Sequence, residues 1–171
     1  VTDTYNHRIQ KFDLQGNFIK EWGEYQVVSI VKSFLNFFVG AEGNFNYPTR
    51  IAVGLNNELY VSDAYNNRVQ KFSSEGDFIS QFGGLGFLGG SFRVVSGIAS
   101  DKKGNLYVAD FYNHRVQKFT EEGAFLTQWG GKGEGTRKFD GPTDLAVNGQ
   151  GQVYVVDWGN HRIQVFNMKR D

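Results

Sequence analysis

Cysteine is absent from the 171-residue sequence, which excludes a disulfide framework, a thiol nucleophile and a zinc–thiolate site. Net charge is absent too. The 18 Lys and Arg balance the 18 Asp and Glu, so no global basic field draws in nucleic acid or an anionic membrane. Proline is scarce at two residues, and no apolar run reaches the roughly 20 residues that a membrane-spanning helix needs. There is no Gly-x-Ser-x-Gly elbow, no calcium-loop pattern and no isolated pair of carboxylates. What is plentiful is Gly (22), Phe (16) and Tyr (8), a composition suited to short strands joined by tight turns.

One phrase recurs four times: Asp3-Thr-Tyr-Asn-His-Arg-Ile-Gln-Lys-Phe12, Asp63-Ala-Tyr-Asn-Asn-Arg-Val-Gln-Lys-Phe72, Asp110-Phe-Tyr-Asn-His-Arg-Val-Gln-Lys-Phe119 and Asp157-Trp-Gly-Asn-His-Arg-Ile-Gln-Val-Phe166. The Asp residues are 60, 47 and 47 positions apart. Such a period marks a repeat protein whose units cannot bury their faces alone. A residue present in every copy serves the repeat, and function is to be sought where the copies differ.

The third copy shows the unit. Gly97–Ser100 reads as a first strand, with a hairpin turn at Asp101-Lys-Lys-Gly-Asn105 whose Gly supplies positive φ; Asn57 stands there in the second copy. Asn105–Asp110 and Arg115–Phe119 read as the second and third strands. Thr120-Glu-Glu-Gly123 turns the chain into a fourth, Ala124–Trp129. Four short antiparallel strands per repeat predict an all-β fold, a β-propeller of four-stranded blades with about three and a half blades present. Blade-on-blade packing accounts for the columns Phe12/Phe72/Phe119/Phe166, Trp22/Phe82/Trp129, Phe18/Phe78/Phe125 and Phe45/Phe92/Phe139.

The segment Asn-His-Arg-Ile/Val-Gln, preceded by Tyr-Val-x-Asp and followed by Phe, resembles the NHL repeat. The resemblance covers nearly the whole chain except residues 24–42 and implies a share of a six-bladed ring. It also implies a range of roles, since some NHL propellers bind RNA and some sit behind RING and B-box modules in ubiquitin ligases. Zinc-dependent amidating lyases have similar repeats. The expected organisation is a partial blade at 1–23, an insertion at 24–42, blades at 43–84 and 90–131, and a blade without its outer strand at 137–171. Within the insertion, apolar residues at 27, 30, 31, 34, 35 and 38 have helical spacing. An amphipathic helix and intron-derived sequence are both readings of this segment, which adds 13 residues to the linker length of the other copies.

The pairs Asp3–Arg8, Asp63–Arg68, Asp110–Arg115 and Asp157–Arg162 invite a charge-chemistry reading. Their presence in every copy favours a structural one, with Arg clamping its own hairpin. His7, His114 and His161 share one repeat position, held by Asn67 in the second copy, so repeat symmetry spreads them apart instead of gathering them on one ion. No metal or cofactor is expected. Gly83-Gly-Leu-Gly86 and Gly130-Gly-Lys-Gly133 precede strands and read as flexible inter-blade linkers, not phosphate loops. The copies differ after the repeated Asp, at Thr4-Tyr5, Ala64-Tyr65, Phe111-Tyr112 and Trp158-Gly159. Tyr65, Phe111, Tyr112 and Trp158 are therefore the candidate binding residues on one rim, against the plainer reading that they only pack. Arg50 and Asp144, in register with Gly97 on the first strands, are a second candidate set at the channel mouth. The expectation is a non-enzymatic scaffold for a protein partner. Single-stranded RNA, ubiquitin-ligase substrate recognition and a share of a propeller lyase or hydrolase are the alternatives, and self-association could complete a ring.

Overall fold

The computed structural model describes residues 1–25 and 41–167. The apolar-periodic segment at 26–39 thus lies outside the described residues. Among the described residues, fourteen strands form four antiparallel sheets. Blade 1 contains β1 (Thr2–Asp3), β2 (Arg8–Phe12) and β3 (Phe18–Trp22); blade 2 contains β4 (Pro48–Val53), β5 (Leu59–Asp63), β6 (Arg68–Phe72) and β7 (Phe78–Gly83). Blade 3 repeats this with β8 (Val95–Ser100), β9 (Leu106–Asp110), β10 (Arg115–Phe119) and β11 (Phe125–Gly130). Blade 4 contains β12 (Pro142–Val147), β13 (Gln152–Asp157) and β14 (Arg162–Asn167). This is an all-β arrangement of about three and a half propeller blades. By repeat position, blade 1 has the second to fourth strands and blade 4 the first to third.

Each blade is a meander, because a turn of a few residues can join only antiparallel neighbours. The turn between the second and third strands is a single 3₁₀ turn, seen at Thr4–Asn6, Ala64–Asn66, Phe111–Asn113 and Trp158–Asn160. The residue after it is left-handed: His7, Asn67, His114 and His161 have φ between 53° and 55°. Both prolines open a first strand, where the missing N–H leaves no ladder bond unmade.

Between blades, alternate residues of both sheets interdigitate. Phe45, Phe92 and Phe139 are the wedges. Each is at most 1% exposed, and each packs on the glycine that ends or directly follows the preceding blade's outer strand. A Cβ on Gly83 would lie 2.7 Å from the Phe92 ring, which is why glycine stands there. The linkers expected to be flexible are tied down. Gly84 N–H donates to Asn67 O and Phe92 N–H to Gly84 O, and parallel bridges join Leu85 to Phe92 and Lys132 to Phe139.

Candidate interaction surface

In blades 2 to 4 the repeated Asn, Arg and Gln converge on the Asp of their own copy. Asp63 Oδ2 accepts from Arg68 Nε (2.7 Å), Asn66 Nδ2 (2.8 Å) and Gln70 Nε2 (3.1 Å), while Oδ1 accepts from the Asn46 N–H (2.6 Å). Asp110 repeats this with Arg115, Asn113, Gln117 and the Arg93 N–H. Asp157 does so with Arg162, Asn160, Gln164 and the Asp140 N–H. Asp3 holds Arg8 Nε at 2.8 Å and Asn6 at 3.0 Å. Arg also reaches beyond its hairpin: Arg68 Nη2 donates to Ala41 O and Asn44 O, and Arg115 Nη2 to Leu88 O and Ser91 O. The node therefore anchors the incoming linker as well as the blade. Asn and Gln belong to it, and their signal was their fixed place in the repeated phrase.

Burial dominates the Asp63 and Asp110 carboxyls and raises their pKa against the opposing donors. Asp157 also feels burial, but its hydrogen bonds outweigh it and the pKa is lowered.

The histidines meet no common centre. His7 Nδ1 accepts from the Tyr47 N–H (3.2 Å) and His114 Nδ1 from the Gly141 N–H (3.1 Å), each across a blade boundary. Asn67 Oδ1 does the same for the Val94 N–H at 2.8 Å. Asn can replace His because both place an acceptor there and both tolerate the left-handed backbone. Among the described residues, no group of three or more His, Asp or Glu could hold a metal ion, and no helix is long and apolar enough to cross a membrane.

Arg50 and Asp144 answer each other. Arg50 Nε lies 2.9 Å from Asp144 Oδ2, across 94 positions of sequence. The pair joins blades 2 and 4 past Gly97, where a Cβ would lie 2.8 Å from Asp144 Cα. Both residues sit in first strands, but their charges are paired with each other and not presented singly.

The aromatic candidates fall into two groups on one rim. Tyr65 is 54% exposed, Tyr112 52% and Trp158 64%, with Tyr5 more exposed still. Tyr5, Tyr47 and Tyr65 run edge to face, with centroids 5.6 and 4.9 Å apart. Phe111 contacts Tyr112 at 4.8 Å and Trp158 at 6.3 Å, and Arg93 sits over the Tyr112 ring at 5.5 Å. Between the two aromatic groups opens a cavity of about 300 Å³, lined by Tyr47, Tyr65, Val94, Phe111 and Tyr112 together with Thr49, Ser96 and Thr143. Phe111 is also packed, its ring 2.8 Å from where a Cβ of Gly141 would stand.

Tyr47 and Arg93 were not on the list of candidates. Tyr47, Val94 and Gly141 share a left-handed position before the first strand, with φ of 58°, 64° and 65°. That column, where the copies disagree, was the available signal. Val94 is the strained member, since a β-branched residue is a steric outlier at positive φ.

With this geometry in place, the family follows from the repeat itself. The NHL repeat profile matches residues 45–72, 92–119 and 139–166. This chain belongs to the NHL-repeat family. Each NHL match opens on a wedge Phe and closes on the third-strand Phe of the same blade. The copy at Asp3–Phe12 lies outside the matched ranges, yet its Asp3, Asn6 and Arg8 make the same contacts. Protein brain tumor of Drosophila melanogaster is 44% identical over 45 residues, which is 26% of this chain and 4% of that protein. Among solved structures, virginiamycin B lyase from Staphylococcus aureus superposes with a TM-score of 0.60 at 15% identity, covering 99% of this chain and 52% of that one. The WD40 repeats of RRP9 give 0.61 at 12% identity, with 94% and 45% coverage. These likenesses establish the propeller fold alone. The NHL chain spans about half the length of those propellers.

Proposed function

We propose that this NHL propeller is a non-enzymatic scaffold that binds another protein through its aromatic rim. The observation that supports it is the pair of aromatic groups on this rim, Tyr5, Tyr47 and Tyr65 on one side and Phe111, Tyr112 and Trp158 on the other, with a cavity large enough for a partner side chain between them. Tyr and Trp give large, stiff contact area at low entropic cost, and they dominate binding hot spots. A binding role is favoured over a catalytic one because the repeated Asp, Arg and Gln residues are each engaged within their own blade.

The test is replacement of Tyr65, Phe111, Tyr112 and Trp158 by Ala, singly and together. Proteins retained by the wild-type chain and lost by the quadruple variant, re-tested in purified form, should bind about 10-fold or more weakly to each single hot-spot variant. Thermal unfolding of the same variants separates the readings: loss of the folded state would make these rings structural. Binding of single-stranded RNA with a steep salt dependence, lost in the same variants, would replace the protein-partner reading with a nucleic-acid one.

A further inference from the structure

Asn46, Arg93 and Asp140 hold one place in the repeat, just before the first strand, and there the copies disagree. The fold uses only their backbone: each N–H donates to the repeated Asp of its own blade, Asp63, Asp110 and Asp157. The side chain is therefore free to vary without cost to the node, and in blade 3 it is a cation.

The Arg93 guanidinium is exposed and lies over the Tyr112 ring, 5.5 Å from its centroid. Among the described residues this ring is its contact, and its side chain has no ion-pair or hydrogen-bond partner. The carboxylates nearest in sequence to the cavity residues are engaged elsewhere: Asp110 holds Arg115 at 2.7 Å and Asp144 holds Arg50 at 2.9 Å. None of the residues lining the cavity is charged. An uncharged aromatic cavity thus lies beside an unopposed positive charge.

The cavity favours an apolar occupant. Tyr47, Tyr65, Phe111 and Tyr112 wall it, and the hydroxyls of Thr49 and Ser96 already donate to the carbonyls of Val95 and Pro142. Its volume of about 300 Å³ is at the small end of ligand pockets, which run from roughly 300 to 1,000 Å³, and suits one side chain. Rings meet rings favourably edge to face, so an aromatic side chain gains most there. A cation, which aromatic walls would otherwise accept, is opposed by Arg93. Val94 adds a mark of function. Its φ of 64° is strained for a β-branched residue, whereas Gly141 meets the same backbone demand in the next linker without strain.

We propose, on the reading that this rim binds a protein, that the cavity receives an aromatic side chain from an acidic segment of that partner, and that a flanking Asp or Glu carboxylate pairs with Arg93. The guanidinium can take a carboxylate bidentately while its face stays on the Tyr112 ring. The buried ring supplies affinity, and the ion pair supplies orientation and steering.

The experiment selects random dodecapeptides displayed on phage against the immobilised 171-residue chain and measures synthetic, fluorescein-labelled copies of the enriched sequences by anisotropy. Enriched peptides should carry Phe, Tyr or Trp next to Asp or Glu. Replacing that aromatic residue by Ala should weaken binding about 10-fold or more. Arg93→Gln in the chain should weaken it about 3- to 10-fold and flatten its salt dependence. Arg93→Glu should reverse the preference, so that a peptide with Lys in place of its acids binds better than the parent. Both variants should unfold at the wild-type temperature, and a lower one would make Arg93 structural and overturn its role. Binding that needs Tyr65 and Tyr112 but ignores Arg93 and the peptide's acids would also overturn the proposal, while leaving the rim as the binding surface. Peptide binding indifferent to Tyr65→Ala and Tyr112→Ala would count against the rim itself. No enrichment would overturn the acidic-segment assignment. Tighter binding of labelled oligouridine than of any selected peptide, lost with Arg93→Gln, would put a base in the cavity and a phosphate on Arg93 instead.

Discussion

Asp110 and Asp157 stand at the same place in the repeat and accept hydrogen bonds from the same kinds of donor, yet their acidities move in opposite directions. The Asp110 node lies in a blade with a neighbour on each side and a fourth strand outside, and its Arg115 is 8% exposed. At the Asp157 node, Arg162 is 32% exposed. The same contrast runs through the apolar positions. Val69 and Val116 are fully buried, whereas Ile163 at that position is 64% exposed; Phe72 and Phe119 are buried, whereas Phe12 is 39% exposed. One repeated sequence therefore yields two grades of structure, and the grade is set by what packs on the unit. That behaviour is expected of a fold whose stability is a sum of unit and interface contributions.

The largest test of the contrast is aromatic. Phe92→Ala, at the wedge between blades 2 and 3, should cost about 3–5 kcal/mol in denaturant unfolding, against under about 1 kcal/mol for Phe12→Ala. Equal losses would mean that the end blade is as well packed as the middle. Next come two turn glycines with φ near 85°: a Cβ on Gly123 would meet the Phe82 ring at 2.5 Å, whereas one on Gly16 meets nothing within 4 Å. Gly123→Ala should cost about 3 kcal/mol, from backbone strain plus overpacking, and Gly16→Ala about 1–2 kcal/mol from strain alone.

The cross-blade acceptor is a smaller effect. His114→Ala should lower stability by about 1 kcal/mol, the usual worth of one hydrogen bond, while His114→Asn should restore it, as Asn67 does in the neighbouring copy.

Acid should reveal the contrast with the least change in total stability. The lowered pKa of Asp157 contributes stability above the ordinary aspartate range, near 3.9, and that contribution is lost as pH falls through the folded value. Asp63 and Asp110, with raised values, have the opposite sign. Their contribution is present at low pH and lost as pH rises through the folded value. Hydrogen exchange at pH about 3 should therefore show β12–β14 losing protection before β8–β11. Simultaneous loss would show that the blades open as one unit.

Much of the architecture was legible in the sequence because a repeat states its own rules. The spacing of Gly104 and Asn57 located the hairpin turns, and Arg115–Phe119 read as a strand is the strand observed. First strands were harder. Gly97–Ser100 was the reading where the strand runs from Val95, because pairing shifts register between Val95 and Gly97 and hides the start of the alternation. The rim was only partly legible. Tyr65, Phe111, Tyr112 and Trp158 stood out as differences between copies, but Tyr47 and Arg93 reach the same surface from the linkers, distant in sequence. Arg50 and Asp144 looked like two separate channel groups. Only closure of three inner strands, with Gly97 between them, brings the two within hydrogen-bonding distance.

The sequence by itself determined the blade. Turn glycines, alternating strands and the Asp-x-x-Asn-(His/Asn)-Arg-(Ile/Val)-Gln phrase are local instructions, and local backbone chemistry suffices to execute them. Tertiary structure decided which copies of that blade are tightly built and which surfaces stay open. Burial and the acidity of the repeated Asp depend on neighbours contributed by distant parts of the chain, and a ten-residue phrase carries no record of whether such a neighbour is there.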